Sequence, residues 1–306
     1  MADVIPHDER RLMLVHAHPD DESSQTALTM AKYAAQGARV TLVTATLGEL
    51  GEIVSDRLKH LTPEQLGRHR LGELDKAMAE LGITDAVRLG GDFRYHDSGM
   101  AYAEDGSVVP GTEVPEGAFW HADLREAADL LVALIRDRRP QVMITYDDFG
   151  GYGHPDHIQA HRVTMYAYLL AAIDGYRPDL GEPWQVSRLF WSTWARGAVR
   201  ELIRALREAG DTESFGGLDP DSDRLPMGVP DELISVGVHA PEHAAAKEAA
   251  LRAHESQVNL DDGFFAAFAA AAQRAPQVAG TESYRLAAGI AMPPGPPADD
   301  LFAGLS

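Results

Sequence analysis

Residues 16–23, His-Ala-His-Pro-Asp-Asp-Glu-Ser, follow directly on the apolar run Arg11-Leu12-Met13-Leu14-Val15. The run is short, apolar and fronted by charge, the pattern of a parallel strand buried on both faces. Pro19 then ends it. In open α/β sheets ligands bind in the crevice beyond the carboxyl ends of the strands. A histidine, two aspartates and a glutamate gathered there point to a metal or acid/base site.

Reading outward, Ser24 to Gln36 places Ala27, Leu28, Ala31, Ala34 and Ala35 at helical spacing and stops at Gly37. Arg39 to Thr46 is β-branched and apolar, so the sequence predicts a βαβ unit with a right-handed crossover. Its first turn is no dinucleotide loop, because the glycines are missing and two adjacent carboxylates would repel a pyrophosphate. Thr62-Pro63-Glu64-Gln65 starts the next helix, with Thr62 as cap and Gln65 three residues on, and Gly82 closes it. A third strand is expected at Asp85 to Leu89. From Asp92 to Gly117 periodicity disappears, and this long loop after a strand is expected to face a substrate. A helix over His121 to Arg138 leads to a strand at Gln141 to Tyr146. That strand ends in a second telling stretch, Asp147-Asp148-Phe149-Gly150-Gly151-Tyr152-Gly153-His154-Pro155-Asp156-His157, which opens a helix to Ala172. Two strand ends thus each deliver a His-Pro-Asp element to one rim.

Past a linker at Tyr176 to Glu182, strands at Arg188 to Trp194, Leu233 to Val238 and Ser283 to Ala288 alternate with helices, and the final dozen residues are expected to fray. The fold expected is α/β, a Rossmann-like, mostly parallel sheet with helices on both faces and a smaller C-terminal α+β portion. Residues 1–175 would form the metal-binding catalytic domain, and residues 176–306 would complete the substrate pocket.

The 306 residues include 47 Asp and Glu against 27 Lys and Arg, a formal charge of −20 that disfavours nucleic acid or an anionic membrane as partner. No apolar run is long enough to span a bilayer, and the N-terminus lacks the layout of a secretory signal, so a cytoplasmic location is expected. There is no cysteine, so any metal must be held by His, Asp and Glu. His18, Asp21 and His157 match the count of a catalytic zinc site that keeps one position for water. Asp20, beside them, can take the proton of that water. His154 can protonate a leaving amine or stabilise an oxyanion, with Asp156 to orient it. Together these groups describe hydrolysis of an amide or ester. His16, on the opposite face of the strand, is expected to be structural, Glu22 a first-turn helix acid, Asp147 and Asp148 capping residues, and His161 no ligand. Two His and one carboxylate also match the triad of non-haem iron oxygenases, and a non-catalytic sugar-binding protein is a further alternative.

HAHPDDES combined with GGYGHPDH after a later strand resembles the LmbE-like (PIG-L) family of zinc-dependent N-acetylglucosamine deacetylases, through residues 11 to 170. TLGELGEI, LGGDFRYHDSGM and TYDDFGGYGHPDHIQAH are similar to the branch serving mycothiol biosynthesis, which removes acetate from N-acetylglucosaminyl-inositol. The resemblance implies ligands His18, Asp21 and His157 for zinc, general base Asp20, acid or electrophile His154, and a mobile Tyr152 at the intermediate; the donor set itself leaves Fe(II) as the alternative metal. It further implies that Arg70 and Asp97 contact the inositol while Glu52 and Met100 line the pocket of a small amino-sugar substrate. Gln25 stands where this branch tends to have Ser and the related mycothiol S-conjugate amidases have Lys, whereas Gly153 before His154 favours the deacetylases. A deacetylase of another N-acetylated amino sugar is the further alternative within the family.

Overall fold

The structure, a computed structural model, describes residues 5–103, 108–208, 210–213, 217–222, 225 and 227–306. The chain opens with β1 (Arg11–His16), α1 (Asp21–Gln25), α2 (Ala27–Ala35), β2 (Arg39–Thr44), α3 (Pro63–Glu80) and β3 (Asp85–Arg88). A small hairpin, β4 (Ala101–Tyr102) with β5 (Val108–Val109), precedes α4 (Leu124–Arg138), β6 (Val142–Tyr146), α5 (Gly150–Gly153) and α6 (Pro155–Ala171). Then follow β7 (Arg188–Thr193), α7 (Arg196–Glu208), β8 (Val236–His239), α8 (Ala244–Ala253), α9 (Gly263–Arg274), α10 (Pro276–Ala279) and β9 (Thr281–Gly289).

Seven strands form one sheet in the order β3-β2-β1-β6-β7-β9-β8, parallel apart from the antiparallel pairings of β9 with β7 and β8. Side chains alternate across the pleat, so Leu12 and Leu14 enter one core and Met13 and Val15 the other. Helices α2, α3 and α8 supply the first core, α4 and α6 the second. The α3 start is as read: Thr62 Oγ1 accepts from Gln65 N, and Gln65 Oε1 accepts from Thr62 N. The boundary expected near residue 175 falls between α6 and β7, and the sheet runs on across it, β7 lying parallel to β6. Among the described residues no helix is long and apolar enough to cross a membrane.

Two expectations need correction. The helix expected over 24–36 begins earlier and is broken at Thr26, whose φ is −135°. The break turns Thr26 Oγ1 onto His16 Nε2 at 3.0 Å, while His16 Nδ1 meets the Tyr146 hydroxyl at 3.2 Å, the structural role expected of His16. The tail does not fray. Leu301, Phe302 and Leu305 are buried in the first core, and Arg188 donates to Leu301 O. Isolated apolar residues in a Pro-rich tail give no periodicity, so nothing local announces that they dock. Phe302→Ala is expected to destabilise the protein by about 3–5 kcal/mol, as for other buried aromatic truncations. A chemical denaturation midpoint equal to that of the parent chain would show that the tail is undocked in solution.

Candidate active site

The strand order reverses between β1 and β6: the chain leaves β1 toward β2 and β3, and later returns to β6 and β7 on the other side. Such a switch point opens a crevice at the strand ends, and both His-Pro-Asp elements emerge there. On the β1 side the motif folds back on itself, the backbone N–H of His18 donating to Asp21 Oδ2 at 2.9 Å. The same oxygen accepts the Tyr146 hydroxyl at 2.7 Å, and that hydroxyl accepts the N–H of Ala17 at 2.8 Å. Asp21 Oδ2 is thus anchored, while Oδ1 takes the Gln25 amide at 3.2 Å and lies 3.3 Å from His157 Nε2.

On the β6 side Asp147 caps the turn by accepting from the N–H groups of Phe149 and Gly151. Gly150 is required there, because its φ is +68° and a Cβ would lie 2.7 Å from that of His157. Its carbonyl accepts from His157 Nδ1 at 3.0 Å, which fixes the tautomer and leaves Nε2 as a lone pair. That atom is buried and has no hydrogen-bond partner. A lone pair facing a carboxylate oxygen in a buried site calls for a cation between them, and 3.3 Å is close to the roughly 3.4 Å between ligand atoms around a tetrahedral zinc. His18 completes the set: its Nδ1 lies 3.3 Å from Asp21 Oδ2, and nitrogens of His18, His154 and His157 lie within 4.8 Å of one another. The donor set of two or three imidazoles and one carboxylate fits a divalent metal.

Asp156 was expected to orient His154, and it meets that ring through its backbone N–H, which donates to His154 Nδ1 at 3.1 Å. Its carboxylate instead reaches His18 Nε2 at 3.2 Å, held by the N–H and hydroxyl of Ser98, so the side chain orients His18. Burial, reinforced by His18 and His157, pushes His154 down to about 2, so it is a neutral imidazole with its hydrogen on Nε2. Burial would lower His18 as well, but Asp97, Asp156 and Asp21 outweigh it and raise the pKa well above the usual value. Burial likewise pushes the Asp20 carboxyl up to about 6, against the pull of Arg70 and with Asp21 adding to the rise. Asp97 moves the other way, held down to about 2 despite burial by His18 and the N–H of Gly99.

His18, Asp20, Asp21 and His154 border a cavity of about 470 Å³ whose wall also includes Glu52, Arg70, Asp97, Met100, Tyr152 and Gln257. The long loop supplies Asp97 to Met100 and Tyr102, as its position after β3 predicted. Arg70 borders the cavity, yet its guanidinium donates to Gly48 O, Pro19 O and Asp20 Oδ2, so its observed contacts are with the protein. Gln25 does not line this cavity. Its amide donates to Asp21 Oδ1 from a neighbouring cleft that it lines with Lys247 and Glu282, and its carbonyl accepts from Ser192. Tyr152 is half exposed at the mouth, its ring edge-on to His154 and His157. His161 turns to the Tyr146 carbonyl, away from the three imidazoles. Glu22 is the first-turn acid of α1 that was expected, and it is buried as the partner of His254 at 2.7 Å. Sequence reading missed Tyr146, Gln257 and His254. Tyr146 could have been found as the polar end of an otherwise apolar strand, whereas the other two sit in a stretch without any chemical spacing.

Fold and site place the chain among the α/β enzymes that work at the carboxyl edge of a parallel sheet, with an acid/base and metal-type donor cluster at the switch point. The profile of the PIG-L family, described as GlcNAc-PI de-N-acetylase, matches residues 13–168, and the chain belongs to that family. It is 57% identical over 261 residues, 84% of this chain and 86% of the relative, to a 1D-myo-inositol 2-acetamido-2-deoxy-alpha-D-glucopyranoside deacetylase of Nocardioides sp.. A protein of the same name from Kribbella flavida is 48% identical over 97% of this chain and 98% of its own. Among solved structures, N,N'-diacetylchitobiose deacetylase from Pyrococcus horikoshii superposes with a TM-score of 0.61 at 17% identity, covering 94% of this chain and 87% of that one, a likeness of fold.

Tyr146→Phe removes the hydroxyl that anchors Asp21. It is expected to lower affinity for a divalent ion about 10–100-fold in competition with a chelator, as outer-sphere substitutions do. Unchanged affinity would mean that Asp21 is held without it.

Proposed function

We propose that the chain is a metal-dependent N-deacetylase that hydrolyses the acetamide of 1D-myo-inositol 2-acetamido-2-deoxy-α-D-glucopyranoside, giving acetate and the free amine, in mycothiol biosynthesis. The observation that carries this reading is the near full-length identity to relatives named for that substrate. A cavity of about 470 Å³ bordered by Glu52, Arg70, Asp97 and Gln257 is of a size to take a pseudo-disaccharide. His18, Asp21 and His157 would hold the ion. In a chain without cysteine this donor set suits zinc, and Fe(II) is served by the same atoms. When bound, the ion supplies Lewis acidity, lowering the pKa of a water toward roughly 7 and polarising the acetamide carbonyl.

The remaining steps belong to the chain's own side chains. Arg70 holds Asp20 Oδ2 at 2.9 Å, which leaves Oδ1 to take the proton of the attacking water. His154, its Nδ1 occupied by the Asp156 N–H, offers Nε2–H to the oxyanion as the carbonyl carbon becomes tetrahedral. A neutral imidazole in this role is an electrophile and no proton source, so the departing nitrogen takes its proton from Asp20 as the C–N bond breaks. Tyr152, turned in from the mouth, adds its hydroxyl to the same oxyanion. Glu52, Met100 and Gln257 line the cavity where the inositol would sit, and Asp97, 3.7 Å from His18 Nε2, lines it beside the imidazoles.

Purified protein supplied with zinc should release primary amine from N-acetylglucosaminyl-inositol. Failure there, with rapid cleavage of mycothiol S-conjugates, would move the assignment to the amidase. Asp20→Asn should lower kcat by about 10²–10⁴-fold while the metal stays bound, and His157→Ala should lose the metal. An emptied site in Asp20→Asn would make Asp20 a ligand and leave the base unassigned.

A further inference from the structure

Asp20 is one of four described non-glycine residues with positive φ, at +98°, a region that disfavours any residue carrying a Cβ. Its conformation is held by a clamp on the Pro19–Asp20 peptide. The carbonyl of that peptide accepts from Arg70, and its N–H donates to Glu22 Oε2 at 3.0 Å. With the peptide plane fixed at both poles and the carboxylate tied to Arg70, rotation about the Asp20 N–Cα bond is fixed too. Glu22 is in turn held from far along the chain. His254, at the end of α8, places Nε2 at 2.7 Å from Glu22 Oε1, and the Ser23 hydroxyl donates to the same oxygen at 2.6 Å. A carboxylate only accepts, so Nε2 carries the hydrogen, while His254 Nδ1 has no hydrogen-bond partner. Both residues are fully buried, and neither lines the cavity or belongs to the imidazole cluster. A buried ionic pair is a poor way to gain stability compared with apolar side chains of like volume. Beyond His254 and the neighbouring Ser23, the hydrogen bond that Glu22's side chain passes on is the one to the Asp20 N–H.

We infer that Glu22 and His254 are positioning residues for Asp20, a buried pair through which the C-terminal third of the chain sets the backbone turn that presents this carboxylate to the cavity. The inference rests on Asp20 being the base. His254→Leu removes the donor at similar volume, and His254→Gln keeps an N–H near the place of Nε2. With zinc-loaded enzyme and N-acetylglucosaminyl-inositol, His254→Leu should lower kcat about 10–100-fold, leave KM and the bound metal near those of the parent enzyme, and be largely rescued in His254→Gln. In an Asp20→Asn background the same change should cost nothing further, since no base remains to be positioned. A His254→Leu enzyme with full kcat, or a loss that multiplies undiminished onto that of Asp20→Asn, overturns the inference while leaving Asp20 as base. An Asp20→Asn enzyme with full kcat overturns both. If His254→Leu does not fold, Glu22→Gln in the two backgrounds carries the same comparison.

Discussion

The site depends on the parallel pairing of β1 with β6. Leu12 lies opposite Val142, Met13 opposite Met143 and Leu14 opposite Ile144, so strands about 130 residues apart in sequence end at the same level. At that level the Tyr146 hydroxyl joins the two ends, touching the Ala17 backbone, His16 and Asp21 at once. The tyrosine ring also stacks on His157 at 4.2 Å. A slip of one residue in the pairing would turn every side chain on one strand to the other face and separate the two His-Pro-Asp elements.

Around this joint the protein concentrates groups that would be costly to bury singly. Asp21, Glu22, Asp97 and Asp156 are all buried, and each is met by an imidazole or by backbone N–H groups. Asp21 Oδ2 is satisfied by a hydroxyl and main chain, whereas Asp21 Oδ1, which has only the Gln25 amide, and the unpartnered His157 Nε2 confront each other across a gap suited to a cation. Strain is confined in the same way, Asp20 keeping its left-handed backbone because Arg70 and Glu22 clamp the peptide that precedes it. The C-terminal third thereby takes part in the centre, through His254 on Glu22 and Gln257 at the cavity wall.

Most of the sheet was legible. The buried run of β1, the β-branched run of β2, the capping box of α3 and the apolar stripe of α4 are local patterns, and the structure keeps each within a few residues. The errors arose where a residue answers to something distant. Thr26 breaks the first crossover helix to reach His16, and the tail docks because Tyr33 and Arg188 bond to it from elsewhere in the chain. In the site the imidazoles and acids of the two His-Pro-Asp elements were visible, but their partners, His254 among them, were not. Asp156 lies two residues from His154 and yet turns its carboxylate to His18, and Gln25 reaches Asp21 from a separate cleft.

The sequence by itself determined the chemistry on offer: two strand ends carrying His, Pro and Asp, no thiolate, and a glycine-flanked turn ahead of the second. Periodicity and spacing act over a few residues, so they fix elements and the side chains those elements present. Which carboxylate meets which imidazole, and which oxygen of Asp21 is left for an ion, was decided only by tertiary structure. Hydrogen bonds between segments 130 to 232 positions apart depend on strand order and register, and these are properties of the assembled sheet.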